Sequence, residues 1–490
     1  MVRSRQTEDV LADMWIVTPH STDADSSWPR LPLMTALGAA TEAGGLWVQE
    51  IDACDPAALF SVLAEAPGIA FLDSAAIGDP RGGCSYLCID PLDELIVEDP
   101  SSPDLFGRLR ALKARLPAQR CGPLPFNGGI VGMLSYDAGR ERLAVCSRHQ
   151  PDTAPGLAAR SYDFVIGFDH RASRAFVMTR DRPNESAAER FARWQDAAQR
   201  TSRRPDAAPL AWRPCFSREA YSRRIERISG YLHAGDIYQA NLSARFVAAR
   251  PDGFDPVAAY LRLRALSPNP FGAFLDLGAG RTLLSASPER FVHLASNGLI
   301  ETRPIKGTAP RFIDPQRDRG AANMLAASGK DWSENLMICD LLRNDLATVS
   351  VAGSVRVPQL AQIERFASVW HLVSVVEARL KPGCDAIDLL AAVVPGGSIT
   401  GAPKKRAAEI IDELEDSRRG AMFGTVFRIG TDGALDSSII IRSMLADKAA
   451  VTARAGGGIV AESDADAEHA EMRAKIAPLL DATGTLEPSG

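Results

Sequence analysis

Two acidic pairs stand at i, i+3 spacing: Asp331 and Glu334 ahead of Asn335-Leu336-Met337-Ile338, and Glu468 and Glu471 behind Ser463-Asp464. Each pair shares one face of an expected helix, where like charges are mildly destabilising. Carboxylates gathered from two helices call for a cation. An oxygen-only set suits Mg²⁺, which keeps waters and bridges to substrate oxygens. Spacing alone favours the plainer reading of two solvated helix faces, and Glu471 with Lys475 at i, i+4 is equally the pattern of a surface ion pair.

Other side chains carry the same double reading. Lys306 lies in Thr302-Arg303-Pro304-Ile305-Lys306-Gly307-Thr308; a partly buried lysine amine is a nucleophile, whereas a lysine on a turn is more often at the surface. His371 stands among apolar residues in Val369-Trp370-His371-Leu372-Val373, where a satisfied core histidine is the commoner case. Arg442 follows Ile439-Ile440-Ile441, and a guanidinium at the end of a buried strand needs a carboxylate, which an internal Asp or Glu could supply.

Two glycine clusters offer backbone amides. Pro395-Gly396-Gly397-Ser398-Ile399-Thr400-Gly401-Ala402-Pro403-Lys404 runs from a loop into a helix whose free amides and dipole suit an anion. It is not a nucleotide-binding P-loop, because Ala402 follows Gly401 where the phosphate-binding lysine belongs. Gly456-Gly457-Gly458 suits either a carboxylate or a tight turn.

The elements that position these groups are legible in outline. Alternation over Leu46 to Ile51 and Ala70 to Asp73 makes the first half β-rich, and Gly128 to Gly132 reads as a closely packed strand or bulge. Asn184 to Arg200 is an amphipathic helix with Phe191, Trp194 and Ala198 on one face, and Thr201 to Pro214 reads as a linker. Ser217 caps a helix with Tyr221, Ile225, Ile228 and Leu232 on its apolar stripe, ended by Gly235. A strand follows, with Tyr238, Ala240, Leu242, Ala244 and Phe246 facing one way and Gln239, Asn241, Ser243 and Arg245 the other. Its polar face either lines a site or, on alternation alone, meets water at a sheet edge.

At 490 residues the chain exceeds the size of one hydrophobic core, so two domains are expected. Fifty-five Lys and Arg against 61 Asp and Glu give a net charge of −6, which argues against nucleic acid as a partner. The eight scattered cysteines read as reduced thiols, and Met1 to Pro19 lacks the apolar core of a signal peptide. No apolar run is long enough to span a membrane. A soluble, cytoplasmic protein is the expectation.

Taken together and in order, these stretches resemble the chorismate-utilising enzymes: the anthranilate, aminodeoxychorismate, isochorismate and salicylate synthases. The similarity runs from Asp236-Ile237-Tyr238-Gln239 through Ser287-Pro288-Glu289-Arg290-Phe291, Pro304 to Thr308, Glu334 to Asp345, His371-Leu372-Val373-Ser374 and Pro395 to Lys404, ending at Ala455 to Lys475. Phe126-Asn127-Gly128-Gly129 through Ser135-Tyr136-Asp137 resembles the amino-terminal half of the members that use ammonia. The resemblance implies an α+β fold of large, mainly antiparallel sheets packed together with helices outside. It also implies a β-rich amino-terminal domain over 1–205 and a chorismate-binding catalytic domain over 215–482.

It further implies residue roles. Glu334 and Glu471 would hold Mg²⁺ against a substrate carboxylate, with Asp331 and Glu468 as outer acidic partners. Arg442, Gly456, Gly457, Gly458 and Lys475 would bind substrate, and His371 and Thr400 would lie near the ring. Glu289 matches the acid at the C4 hydroxyl. Gln239 stands where the water-adding members carry a lysine base, which leaves the amine-adding branch.

Within that branch Lys306 occupies a position that is alanine in typical anthranilate synthases and lysine in typical aminodeoxychorismate synthases. The implied activity converts chorismate and ammonia to 4-amino-4-deoxychorismate through a covalent Lys306 intermediate, toward 4-aminobenzoate and folate. A separate glutamine amidotransferase subunit would supply the ammonia. The rivals are an anthranilate synthase large subunit and a non-catalytic chorismate- or tryptophan-binding regulator. Two departures, Met422 for a tyrosine and Phe427 for a glycine, raise the question of whether the site itself is altered.

Overall fold

The computed structural model describes residues 34–79, 81–117, 122–199, 207–366 and 369–486. Met1 to Pro19, Cys121 and positions 201–206 of the expected linker lie outside them. The seven described cysteines are free thiols, and no described helix is long and apolar enough to cross a membrane.

Among the described residues, strands assemble into a 14-stranded and a 10-stranded sheet. Strand pairing is antiparallel throughout, except where Leu210–Pro214 runs parallel to Gly484–Leu486. Because successive side chains point to opposite faces, the middle strands of the larger sheet serve two cores. Ala70, Tyr86, Leu275 and Leu283 join Ile130, Met133 and Leu435 of the second sheet in a core shared by both sheets. Their neighbours Phe71, Leu87, Phe274 and Leu284 enter a second core with Phe60, Tyr221, Ile225, Ile410 and Ile476 from the covering helices. This is the expected arrangement of large antiparallel sheets with helices outside.

The segments expected as domains share both sheets. Ala70–Asp73 pairs with Phe271–Asp276, and Gly129–Leu134 pairs with Thr425–Gly430. Gly129, at φ 141, packs so closely on that partner that a Cβ would lie 2.1 Å from Ile429 O, which is the close backbone approach read from the sequence. Of the expected linker, Leu210–Pro214 is itself a strand of the larger sheet.

The local signals are realised with sharper ends. The helix over Asn184 to Arg200 is Ala187–Ala198, started by a Ser186–Glu189 capping box. Ser217 caps Arg218–His233, and Gly235 follows at φ 79. The two departures lie in the core: Met422 and Phe427 are buried in the cluster shared by the sheets. Phe427 is accommodated by Gly132 on the adjacent strand, where a Cβ would meet the tip of its ring at 2.8 Å.

Candidate functional site

The strand Gln239–Ala249 lies between Leu210–Pro214 and Ala450–Ile459. It is therefore no sheet edge, and of the four polar residues on that face only Arg245 is partly exposed. Gln239, Asn241 and Ser243 are buried on that face, while Ala240, Leu242, Ala244 and Phe246 enter the helix-covered core. Tyr238 departs from the pattern: it precedes the strand and is 72% exposed.

Both amide atoms of Gln239, Asn241 Oδ1, Thr400 Oγ1 and the Tyr136 hydroxyl are buried without a hydrogen-bond partner. Such groups cost about 1–3 kcal/mol each when left unmet, so a concentration of them marks a cavity shaped for a polar ligand or water.

Lys306 is aimed into the same place by a bulge. On Ile305–Pro310 the register with Val369–Arg379 shifts between Lys306 and Thr308, around Gly307 at φ 71. Lys306 Nζ reaches Glu334 Oε2 at 3.1 Å, with both side chains largely buried. Gly458 makes room beside it: a Cβ there would lie 2.3 Å from Gln239 Nε2 and 3.4 Å from Lys306 Nζ. Gly457 borders the acids, its Cβ position lying 3.0 Å from Glu468 Oε2 and 3.9 Å from Glu471 Oε1.

The four acids come from the two expected helices, Gly329–Ala347 and Ala465–Thr483. Lysines interleave with them. Lys330 Nζ lies 3.3 Å from Glu468 Oε1 and 4.0 Å from Glu334 Oε1, and Lys475 Nζ lies 2.6 Å from Glu471 Oε1 and donates to Gly456 O at 3.0 Å. The Glu471 side chain is half exposed, and partial desolvation pushes its carboxyl up less than Lys475, Lys330 and Lys306 hold it below the usual range. Asp331 turns aside to Gly307, where a Cβ would meet its Cγ at 2.8 Å. Among the described residues no three His, Cys, Asp or Glu side chains converge as a ready-made metal cage. Lys330 escaped the sequence reading, although its place four residues before Glu334 was a usable signal.

Glu289 lies opposite, at the head of Arg290–Leu294, with Ser398 Oγ of the glycine-rich loop 3.4 Å from its Oε1. Burial raises its carboxyl above the usual range, more than Lys306, Ser398 and Arg81 lower it. His371 interacts through Nδ1 with Thr308 Oγ1 at 3.0 Å. Burial and then Arg81 push it down to about 4, so the ring is neutral at physiological pH. Arg81, which no sequence signal marked, reaches in from the amino-terminal half, held by Asp79 at 2.6 Å and stacked on Phe366.

Among the described residues Arg442 has no internal carboxylate of the kind its strand-end position allowed. It sits at φ 50, partly buried, and no described carboxylate meets it. Its carbonyl accepts from Ala286 N, which fixes the backbone and leaves the side-chain donors free. A partly buried guanidinium with no carboxylate partner is suited to an anionic ligand. Among the described residues the site thus joins a guanidinium without a carboxylate partner, a lysine amine, a raised carboxyl, a neutral histidine and an acidic cluster around unsatisfied amides and hydroxyls.

That fold and that constellation define a class, and a sequence profile described as "chorismate binding enzyme" matches residues 71–481. The chain belongs to this family of chorismate-utilising enzymes. Among its relatives, it is 44% identical to aminodeoxychorismate synthase component 1 of Salmonella typhimurium over 363 residues, 73% of this chain and 77% of that one. It is 35% identical to anthranilate synthase component 1 of Streptomyces coelicolor, covering 96% of this chain and 95% of the other. Among solved structures, anthranilate synthase component I of Streptococcus pneumoniae superposes with a TM-score of 0.72 at 29% identity, over 81% of this chain and 92% of that one.

Proposed function

We propose that the chain converts chorismate and ammonia to 4-amino-4-deoxychorismate. The observation that carries this reading is the Lys306 amine, 3.1 Å from Glu334 and beside the buried, unpartnered amide of Gln239. The amine attacks C2, the ring double bonds shift, and the C4 hydroxyl leaves as water with a proton from Glu289. Ammonia then attacks C4, the double bonds shift back, and the Lys306 amine is expelled. A lysine amine is both a compact nucleophile and a competent leaving group, and it selects C4 for the final amine.

The oxygen-only donors Glu334 and Glu471 fit Mg²⁺, with Asp331 and Glu468 as outer partners; bound there, the ion would neutralise a substrate carboxylate. Arg442, the Gly456 to Gly458 amides and Lys475 take the other carboxylate, and His371 and Thr400 stand at the ring. A glutamine amidotransferase subunit delivers the ammonia in a cytoplasmic heterodimer, and the product feeds 4-aminobenzoate and folate synthesis. The relatives' designation as component 1 agrees with a second component.

The test is product identification from chorismate, Mg²⁺ and ammonium without any lyase. Unfluorescent 4-amino-4-deoxychorismate is expected. Fluorescent anthranilate would instead favour a large-subunit anthranilate synthase, the reading to which the nearly full-length Streptomyces coelicolor similarity lends weight. Unconsumed chorismate would favour a binding regulator.

The raised Glu289 carboxyl also sets a pH dependence. Its acid form is the active one, so the rate should hold below its elevated pKa and fall as pH rises through it. Glu289→Gln should lower kcat by about 10²- to 10⁴-fold and remove that alkaline limb. A limb retained in the variant would assign it to another group.

A further inference from the structure

The short helix Tyr136–Glu141, from the amino-terminal half, packs on the glycine-rich loop: a Cβ on Gly139 would lie 2.8 Å from Pro395 N. Tyr136 N donates to Gly420 O at 3.0 Å. Its ring lies 4.6 Å from the Arg419 guanidinium, which donates to Ile399 O at 2.7 Å and to Asn241 O at 2.6 Å while pairing with Glu415. One arginine thus ties the loop bearing Thr400 to the strand bearing Gln239 and Asn241, and Tyr136 covers it.

The Tyr136 hydroxyl faces Thr400. Tyr136 is 2% exposed and Thr400 0%, and neither hydroxyl completes a hydrogen bond with good geometry. A buried phenol normally finds an acceptor, and a threonine hydroxyl has one proton and two acceptor sites. Donation from Tyr136 would use an acceptor site of Thr400 and leave its single proton for a neighbour in the cavity.

We propose that Tyr136 is a positioning residue: by donating to Thr400 Oγ1 it commits the Thr400 hydroxyl to donate to an oxygen of the bound substrate. The proposal rests on the reading that the chain turns over chorismate. It also gives the amino-terminal half a direct part in the site.

The experiment is a double-mutant cycle of Tyr136→Phe and Thr400→Ala. It reads kcat and KM for chorismate with ammonium, and the melting temperature of the ligand-free protein. Phenylalanine keeps the ring on Arg419. Tyr136→Phe should lower kcat/KM about tenfold in the native background and less than about twofold in the Thr400→Ala background, because coupled groups are non-additive. Its ligand-free melting temperature should stay within a few degrees of the parent. Equal losses in both backgrounds, or no loss in either, would overturn the proposal while the functional reading stands. An inert parent enzyme would overturn both.

Discussion

Lys306→Ala is expected to lower 4-amino-4-deoxychorismate formation by about 10²-fold or more, and to remove any mass adduct of chorismate on the protein. The geometry makes the effect specific to the amine. The Gly307 bulge re-aims Lys306 out of the regular strand register, and Gly458 keeps the space beside its Nζ open. The backbone therefore survives truncation, and what disappears is a nucleophile together with the cation facing Glu334 at 3.1 Å. Loss of that cation leaves Glu334 more negative, which should favour a divalent ion in the variant. If a small residual activity yields anthranilate, the choice of ring carbon belongs to the amine. Formation of the parent's product at the parent's rate would eliminate the covalent route.

How far the sequence carried this site depended on the range of the signal. Ser217 as a cap, the amphipathic helix within Asn184 to Arg200 and the strand Ala70–Asp73 rest on local signals, and the structure contains them. The burial of Gln239 was not local. Its strand reads as half-polar, and what covers that face comes from distant sequence: Gly401–Ala402 pairs beside Gln239, and Glu415 and Arg419 bond to Ser243 and Asn241. Pairing between distant strands is also why the amino-terminal segment shares both sheets with the rest, and why Arg81 and Tyr136 reach the site unannounced by periodicity. Arg442 shows the complementary case. A buried strand end predicts an internal carboxylate, and its lack of one among the described residues could be seen only after folding. Met422 and Phe427 looked like damage to the site; Gly132 on the neighbouring strand turns Phe427 into core packing.

Glu334→Gln and Glu471→Gln should each raise the Mg²⁺ concentration for half-maximal activity by at least about 10- to 100-fold, since outer partners alone can be worth that much. Asp331→Asn and Glu468→Gln should fall toward the lower end, because Asp331 turns to Gly307 and Glu468 is held by Ser463 Oγ at 2.7 Å and Lys330 at 3.3 Å. A readout independent of turnover is available. Mg²⁺ at a hundredfold excess over Kd should stabilise the parent by about 2.7 kcal/mol, visible as a raised melting temperature, and should stabilise the two glutamate variants much less. Lys330 supplies the opposite sign. It contacts Glu468 and Glu334 where the cation's charge would act, so Lys330→Met should tighten Mg²⁺ binding while lowering the melting temperature without metal, as the buried Glu468 loses its counter-charge. If Mg²⁺ affinity is unchanged in Glu334→Gln, Glu471→Gln and Lys330→Met alike, these helices do not hold the ion, and their acids serve only as partners for the lysines around them.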